Sequence, residues 1–156
     1  MVTITVNGNQ YESQPGETVI QVLLREKIDI PYLCYHEALG IYGACRLCLV
    51  EVTAGGRMGI TASCSLPVAE GLTVETESPR VVQSRTLLLE MYLAEAPQSP
   101  EMRSLAEKYG VTSTRFTGFD LSATGDRCVL CGLCTRVCYE IISVGAINYI
   151  GRGIQS

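Results

Sequence analysis

Apolar and polar positions alternate in short stretches through the first half of the chain and fall at helical spacing in much of the second. Met1 to Val6 alternates as a strand does, Asn7-Gly8 is a hairpin turn pair, and Gln10 to Gln14 returns. Pro15-Gly16 marks a turn. Thr18 with Gln21 three residues on forms a capping box, and Val19, Val22 and Leu23 give the helix it opens an apolar side, ending near Lys27. Asp29-Ile30-Pro31 is extended, and residues 32–46 form a long loop. Leu47 to Val52, Met58 to Ala62 and Leu72 to Glu77 read as three further short strands, the first turned by Gly55-Gly56. At Ser78-Pro79 the pattern becomes helical: Ser is a good N-cap, Pro suits the first helical position, and Val81 to Ala94 is helical in composition. Pro97 and Pro100 break the chain, and Ser99-Pro100 starts a second helix carrying Met102, Leu105, Ala106 and Tyr109 before Gly110. Residues 111–125 are rich in Thr, Ser and Gly and read as a linker.

Composition narrows the classes. The 156 residues are 47% hydrophobic and 18% charged, with 16 Asp and Glu against 12 Lys and Arg. That describes a globular chain of about one domain, large enough to bury roughly two-thirds of its unfolded surface. The net charge of −4 argues against a nucleic-acid binder, which shows a basic face. No apolar run approaches the roughly 20 residues of a membrane span, and the N-terminus has no secretory pattern, so direct membrane insertion is not expected and the cytoplasm is. Eight cysteines are then the anomaly. Thiols kept reduced in that compartment point to metal ligation rather than disulfides.

Four of the thiols, Cys34, Cys45, Cys48 and Cys64, stand at C-x10-C-x2-C-x15-C. Thiolates are soft ligands that suit zinc or an iron–sulfur cluster, and the C-x2-C pair alone does not separate the two. The surrounding loop holds Gly40, Gly43 and Ala44, small residues that let backbone N–H groups approach sulfur. The single histidine, His36, lies two residues after Cys34. One histidine cannot supply the pair that replaces thiolates in Rieske centres, so His36 reads as a loop residue bonded locally.

The stretches IPYLCYHEALGIYGACRLCLVEV and SCSLPVAEGLTVETES resemble the N-terminal 2Fe–2S domain of the large iron–sulfur subunit of respiratory complex I. They are similar also to the same module of NAD-linked and iron-only hydrogenases and of NAD-dependent formate dehydrogenases. The resemblance covers roughly residues 1–95 and resumes at about 125. It implies that Cys34, Cys45, Cys48 and Cys64 bind one 2Fe–2S cluster on a β-grasp fold. In the resembled family a motif of one histidine and three cysteines follows, holding a 4Fe–4S cluster. Here the corresponding stretch, LLLEMYLAEAPQSPEMRSLAEKYGV, has neither His nor Cys, so thiolate ligation there is ruled out.

Cys128, Cys131, Cys134 and Cys138 form C-x2-C-x2-C-x3-C, the bacterial ferredoxin run that marks a 4Fe–4S cluster. A zinc knot is the bland alternative. Gly132 relieves crowding in the loop, a helical start at Thr135 to Ile142 follows, and Gly145-Ala146-Ile147 is extended. Tyr139 stands where a proline is usual, and no second cysteine run follows. The tail INYIGRGIQS resembles the segment leading into such a run, so the sequence reads as shortened. In two-cluster ferredoxins the fourth cysteine serves the other cluster; if the sequence is complete, either Cys138 folds back to complete the cubane of Cys128, Cys131 and Cys134, the favoured expectation, or a partner supplies that ligand.

The expected architecture is α+β: a β-grasp 2Fe–2S ferredoxin domain at 1–78, a helical connector at 79–110 lacking the histidine–cysteine motif, a linker at 111–125, and a half bacterial-ferredoxin 4Fe–4S segment at 126–156. No nucleophile–base pair, phosphate-binding glycine loop or flavin fingerprint is present in the sequence. The expected role is therefore an electron-transfer iron–sulfur subunit, with catalysis in its partners. The resemblance implies an NADH-oxidising flavoprotein subunit on one side and a catalytic oxidoreductase subunit, such as a hydrogenase or formate dehydrogenase, on the other, with membrane association only through them. A zinc-stabilised binding adaptor and a cluster-based redox sensor are the competing classes. The apolar runs Tyr35 to Tyr42 and Leu87 to Leu93 read as cluster shielding and helix core in preference to docking faces.

Overall fold

The structure, a computed structural model, describes residues 1–118, 125 and 127–151. Residues 119–124 of the expected linker, and 126 and 152–156 of the C-terminal segment, lie outside the described residues. By internal packing the chain divides into two units, Met1–Leu33 with Ile41–Arg85, and Cys34–Gly40 with Thr86–Ser156.

The first unit is built on a five-stranded sheet. Its strands are β1 (Val2–Val6), β2 (Asn9–Ser13), β3 (Leu49–Ala54), β4 (Gly59–Ala62) and β5 (Thr73–Glu75), in the order β2-β1-β5-β3-β4. The hairpin pairs β1 with β2 antiparallel, from Val2 opposite Ser13 to Val6 opposite Asn9. Asn7 and Gly8 both take positive φ in its turn. β1 runs parallel to β5, and β3 runs antiparallel to both β5 and β4. Helix α1 (Val19–Arg25) lies between the hairpin and the cysteine loop in sequence. This mixed sheet with one helix is the β-grasp arrangement that the resemblance implies.

Local chemistry explains the helix ends. At the start of α1, the Gln21 side-chain oxygen accepts from the Thr18 N–H at 2.7 Å, as the capping box requires. At its end Lys27 is left-handed, and the Ile28 N–H returns to the Leu23 carbonyl at 2.8 Å. The core joins Ile4, Val6, Val50, Val52 and Val74 of the sheet to Val19, Ile20, Val22 and Leu23 of α1, all buried. Each such side chain contributes about 1.5–3 kcal/mol relative to exposure. Gly55 closes the turn after β3 at φ +72°, where an added Cβ would lie 2.2 Å from the Gly71 carbonyl oxygen, so only glycine fits.

The third strand begins at Leu49, two residues later than the pattern predicts. Leu47 and Cys48 lie in a turn preceded by left-handed Arg46, and the Leu47 carbonyl is taken by the Arg85 side chain. A 3-10 turn at Ser63–Ser65, not expected from the pattern, follows β4.

Helix α2 (Pro79–Glu95) starts where Ser78-Pro79 predicts, the Ser78 hydroxyl accepting from the Val81 N–H at 3.3 Å. In the second unit, α3 (Pro100–Lys108) is capped by Ser99, whose hydroxyl accepts from the Met102 N–H, and it buries Met102 and Ala106. Helix α4 (Leu133–Arg136) begins two residues before the expected Thr135, because Gly132 at φ +78° supplies a left-handed entry. It passes directly into a π turn at Val137–Ile141, which carries Cys138. No helix among the described residues is long and apolar enough to cross a membrane.

Candidate metal centre

Three of the first four cysteines belong to the first unit, and each is buried: Cys45 in the bend of the loop, Cys48 in the turn before β3, Cys64 in the 3-10 turn after β4. Backbone bonds hold these positions. The Ser63 N–H donates to the Cys48 carbonyl at 2.8 Å, tying the turn of Cys48 to that of Cys64. Arg85, fully buried on α2, donates to the Leu47 carbonyl at 3.2 Å and the Leu49 carbonyl at 2.9 Å, one on either side of Cys48. It donates also to the Thr76 carbonyl at 3.1 Å and pairs with Glu77 at 2.7 Å. A guanidinium suits this task because its fork of donors satisfies several acceptors from one rigid plane.

Cys34 and the second cysteine run belong to the other unit. Cys34 is buried, and its carbonyl accepts from Arg136 at 3.2 Å. Arg136, on α4 between Cys134 and Cys138, also donates to the Gly40 carbonyl and to Glu140 at 2.8 Å. Glu140 accepts from the Gly40 N–H at 2.9 Å. The Arg136 bond, followed by that from Gly40, holds the Glu140 carboxyl below its ordinary range. The loop 34–40 is thus fastened to the helix of the second run by one ion pair. In that run Cys128 and Cys134 are exposed, Cys131 is half-buried and Cys138 is buried. The Cys138 carbonyl accepts from the N–H groups of Val144 at 3.1 Å and Gly145 at 3.3 Å. His36 is exposed, and its Nδ1 accepts from the Ala38 N–H at 3.2 Å, the local bond expected of it.

The donor set fits an iron–sulfur group. It is all thiol, none of the eight cysteines being in a disulfide, and thiolates are the ligands of such clusters. Beside Cys64, the Ser63 hydroxyl is fully buried and has no hydrogen-bond partner among the described residues. Among those residues no three His, Cys, Asp or Glu side chains converge as ligands of one metal ion.

Arg85, Arg136, Glu140 and Ser63 were not singled out by sequence reasoning. An arginine inside the apolar stripe Val81, Arg85, Leu89 was the available signal for the first. Arg136 and Glu140, four residues apart, show helical ion-pair spacing, but nothing local marks Cys34 and Gly40 as their partners. In the apolar runs Tyr35 to Tyr42 and Leu87 to Leu93, Leu39 and Leu89 are buried, whereas Ile41, Tyr42, Leu87 and Met91 are exposed. A longer exposed set, Tyr139, Ile141, Ile142, Val144 and Ile147, follows Cys138.

A β-grasp sheet with buried thiols on the loops beside it defines an iron–sulfur protein of the ferredoxin class, and the comparisons agree. Residues 1–79 match the family described as 2Fe-2S iron-sulfur cluster binding domain, and the chain belongs to that family. It is 32% identical over 181 residues to NADP-reducing hydrogenase subunit HndD of Solidesulfovibrio fructosivorans, covering 100% of this chain and 31% of that protein. It is 32% identical over 173 residues to the NADH-ubiquinone oxidoreductase 75 kDa subunit of Reclinomonas americana, covering 98% of this chain and 25% of that protein. A chain in the crystal structure of an NAD+-reducing NiFe hydrogenase in the H2-reduced state matches at a TM-score of 0.83 and 34% identity, over 98% of this chain and 72% of that one. The chain thus spans a minor part of the length of these two sequence relatives.

Proposed function

We propose that this chain is an electron-transfer iron–sulfur module of a multi-subunit oxidoreductase. It relays single electrons between an NAD(P)H-linked flavoprotein and a redox partner such as a hydrogenase or formate dehydrogenase. The observation that carries the reading is membership of the 2Fe-2S family over residues 1–79, together with the burial of the thiols in that stretch. Cys34, Cys45, Cys48 and Cys64 are assigned to one 2Fe–2S cluster, and Cys128, Cys131, Cys134 and Cys138 to one 4Fe–4S cluster, on the spacing of the second run. Such clusters supply one-electron oxidation and reduction. The chain's own residues do the rest. Arg85 and the Ser63 N–H fix the loops that carry Cys48 and Cys64, and burial of these thiols limits the access of water. The reading places the chain in the cytoplasm, with membrane association only through partner subunits.

Metal analysis and EPR of anaerobically purified protein test this. About six irons per chain and two distinct signals on reduction are expected. Cys48→Ala should remove the 2Fe–2S signal and leave the other. Stoichiometric zinc without iron would reject the reading in favour of a zinc-stabilised adaptor.

A further inference from the structure

Ser63 stands between two of the assigned ligands. Its backbone N–H bonds the Cys48 carbonyl at 2.8 Å, and it opens the 3-10 turn whose next residue is Cys64. One residue before it, Ala62 pairs with Leu49, the neighbour of Cys48. The position is therefore held on both sides by ligand-bearing backbone, within one packed unit.

The Ser63 side chain is 0% exposed, and its hydroxyl lacks a partner among the described residues. Leaving a buried hydroxyl without a bond is costly, and nearly all buried polar groups in folded proteins avoid it. Other buried hydroxyls here do so. Ser13 donates to the Val2 carbonyl at 3.0 Å, Thr76 accepts from Asn7 at 2.9 Å, and Ser99 caps α3. Ser65, in the same turn but exposed, donates to the Ala62 carbonyl at 3.2 Å. Ser63 is thus buried against its chemistry unless an acceptor outside the polypeptide meets it.

We propose that the Ser63 hydroxyl donates a hydrogen bond to a sulfur of the 2Fe–2S cluster and raises its reduction potential. The inference rests on the assignment of Cys48 and Cys64 as ligands. Cluster and thiolate sulfurs are acceptors, and they carry more negative charge when the cluster is reduced. A hydroxyl donor stabilises that state more than the oxidised one. Ser63 is a positioning and tuning residue and does not itself carry the electron.

The test uses the full chain loaded anaerobically with iron and sulfide. Ser63→Ala should keep the 2Fe–2S signal, shift its EPR-monitored midpoint to more negative potential, and lose one exchangeable-proton coupling seen in pulsed EPR when water is replaced by D2O. In the metal-free protein the same variant should raise the urea midpoint, because an unbonded hydroxyl is gone, and in the loaded protein that gain should vanish. Equal midpoints and equal proton couplings at equal iron content overturn the proposal. If Ser63→Ala does not load, the parent decides: absence of an exchangeable coupling on its 2Fe–2S signal overturns it equally. A parent without a 2Fe–2S signal rejects the ligand assignment instead, so the two failures are distinguishable.

Discussion

Two glutamates give this protein opposite local pH dependences. The Ser78 hydroxyl at 2.6 Å, and after it Arg80, hold the Glu51 carboxyl below its ordinary range. A lowered folded-state value contributes stability above the unfolded value of about 4.3, lost as pH falls through the folded one. Glu51→Gln should therefore lower the urea midpoint at about pH 7, with the difference closing as pH falls below the unfolded value and through the lowered folded one. Glu95 is the reverse case. Burial alone pushes its carboxyl up, and it ends α2, where the helix dipole disfavours an anion. Its folded form keeps the proton longer, so stability falls as pH rises through the unfolded value toward the folded one. Glu95→Gln should raise the midpoint at about pH 7 and match the parent below about pH 4. Cys138 is the residue whose role the spacing leaves most open. It is buried, while Cys128 and Cys134 are exposed. As a ligand of the same cubane, its change to Ser should reduce 4Fe–4S occupancy as much as Cys131→Ser does. Unchanged iron content and EPR would instead assign the fourth ligand elsewhere.

Among the elements, α2 bears most directly on the first cysteine group, through a single side chain. Arg85→Met keeps much of the volume but removes the donors to Leu47, Leu49 and Thr76 and leaves Glu77 without this ion pair. A loss of about 3 kcal/mol is expected in urea unfolding, at about 1 kcal/mol or more for each buried carbonyl left without its donor. Arg85→Lys should recover only part of it, since one ammonium cannot reproduce the fork. Loading of the 2Fe–2S cluster should fall in parallel. Most of the elements themselves were legible in the sequence. Alternation marked the hairpin, and Thr18, Ser78 and Ser99 marked three helix starts, because caps and turns are local chemistry. The late start of β3 and the 3-10 turn at Ser63–Ser65 were not legible, because both are tied to distant groups: the Leu47 carbonyl to Arg85, the Ser63 N–H to Cys48. The sequence pattern puts the start of α4 two residues late, because no local signal marks Gly132 as its left-handed entry.

For the molecule as a whole, the proposed role predicts an absence of turnover. The pure chain, loaded with iron, should pass electrons between artificial dyes but should not oxidise NADH, formate or hydrogen. Clear NADH oxidation by the chain free of partner subunits would contradict the role. Co-purification from the native host would name the partners, which carry the catalytic steps in this role.

The 2Fe–2S character of residues 1–79 was legible in the sequence, because ligand type and spacing travel with the family. Thiols in two spaced quartets suit soft metal centres whatever the fold around them. The mixed sheet followed as well, since strands, turns and caps are encoded over a few residues each. What only the tertiary structure decided is how those thiol loops are held. Arg85 lies 36 residues from Leu49, and Arg136 lies 102 residues from Cys34. A buried arginine chooses its carbonyls by where the folded backbone brings them, and no local pattern records that choice. The unbonded hydroxyl of Ser63 is of the same kind: its burial is a property of the packed core, and only burial turns an ordinary serine into a donor in need of an acceptor.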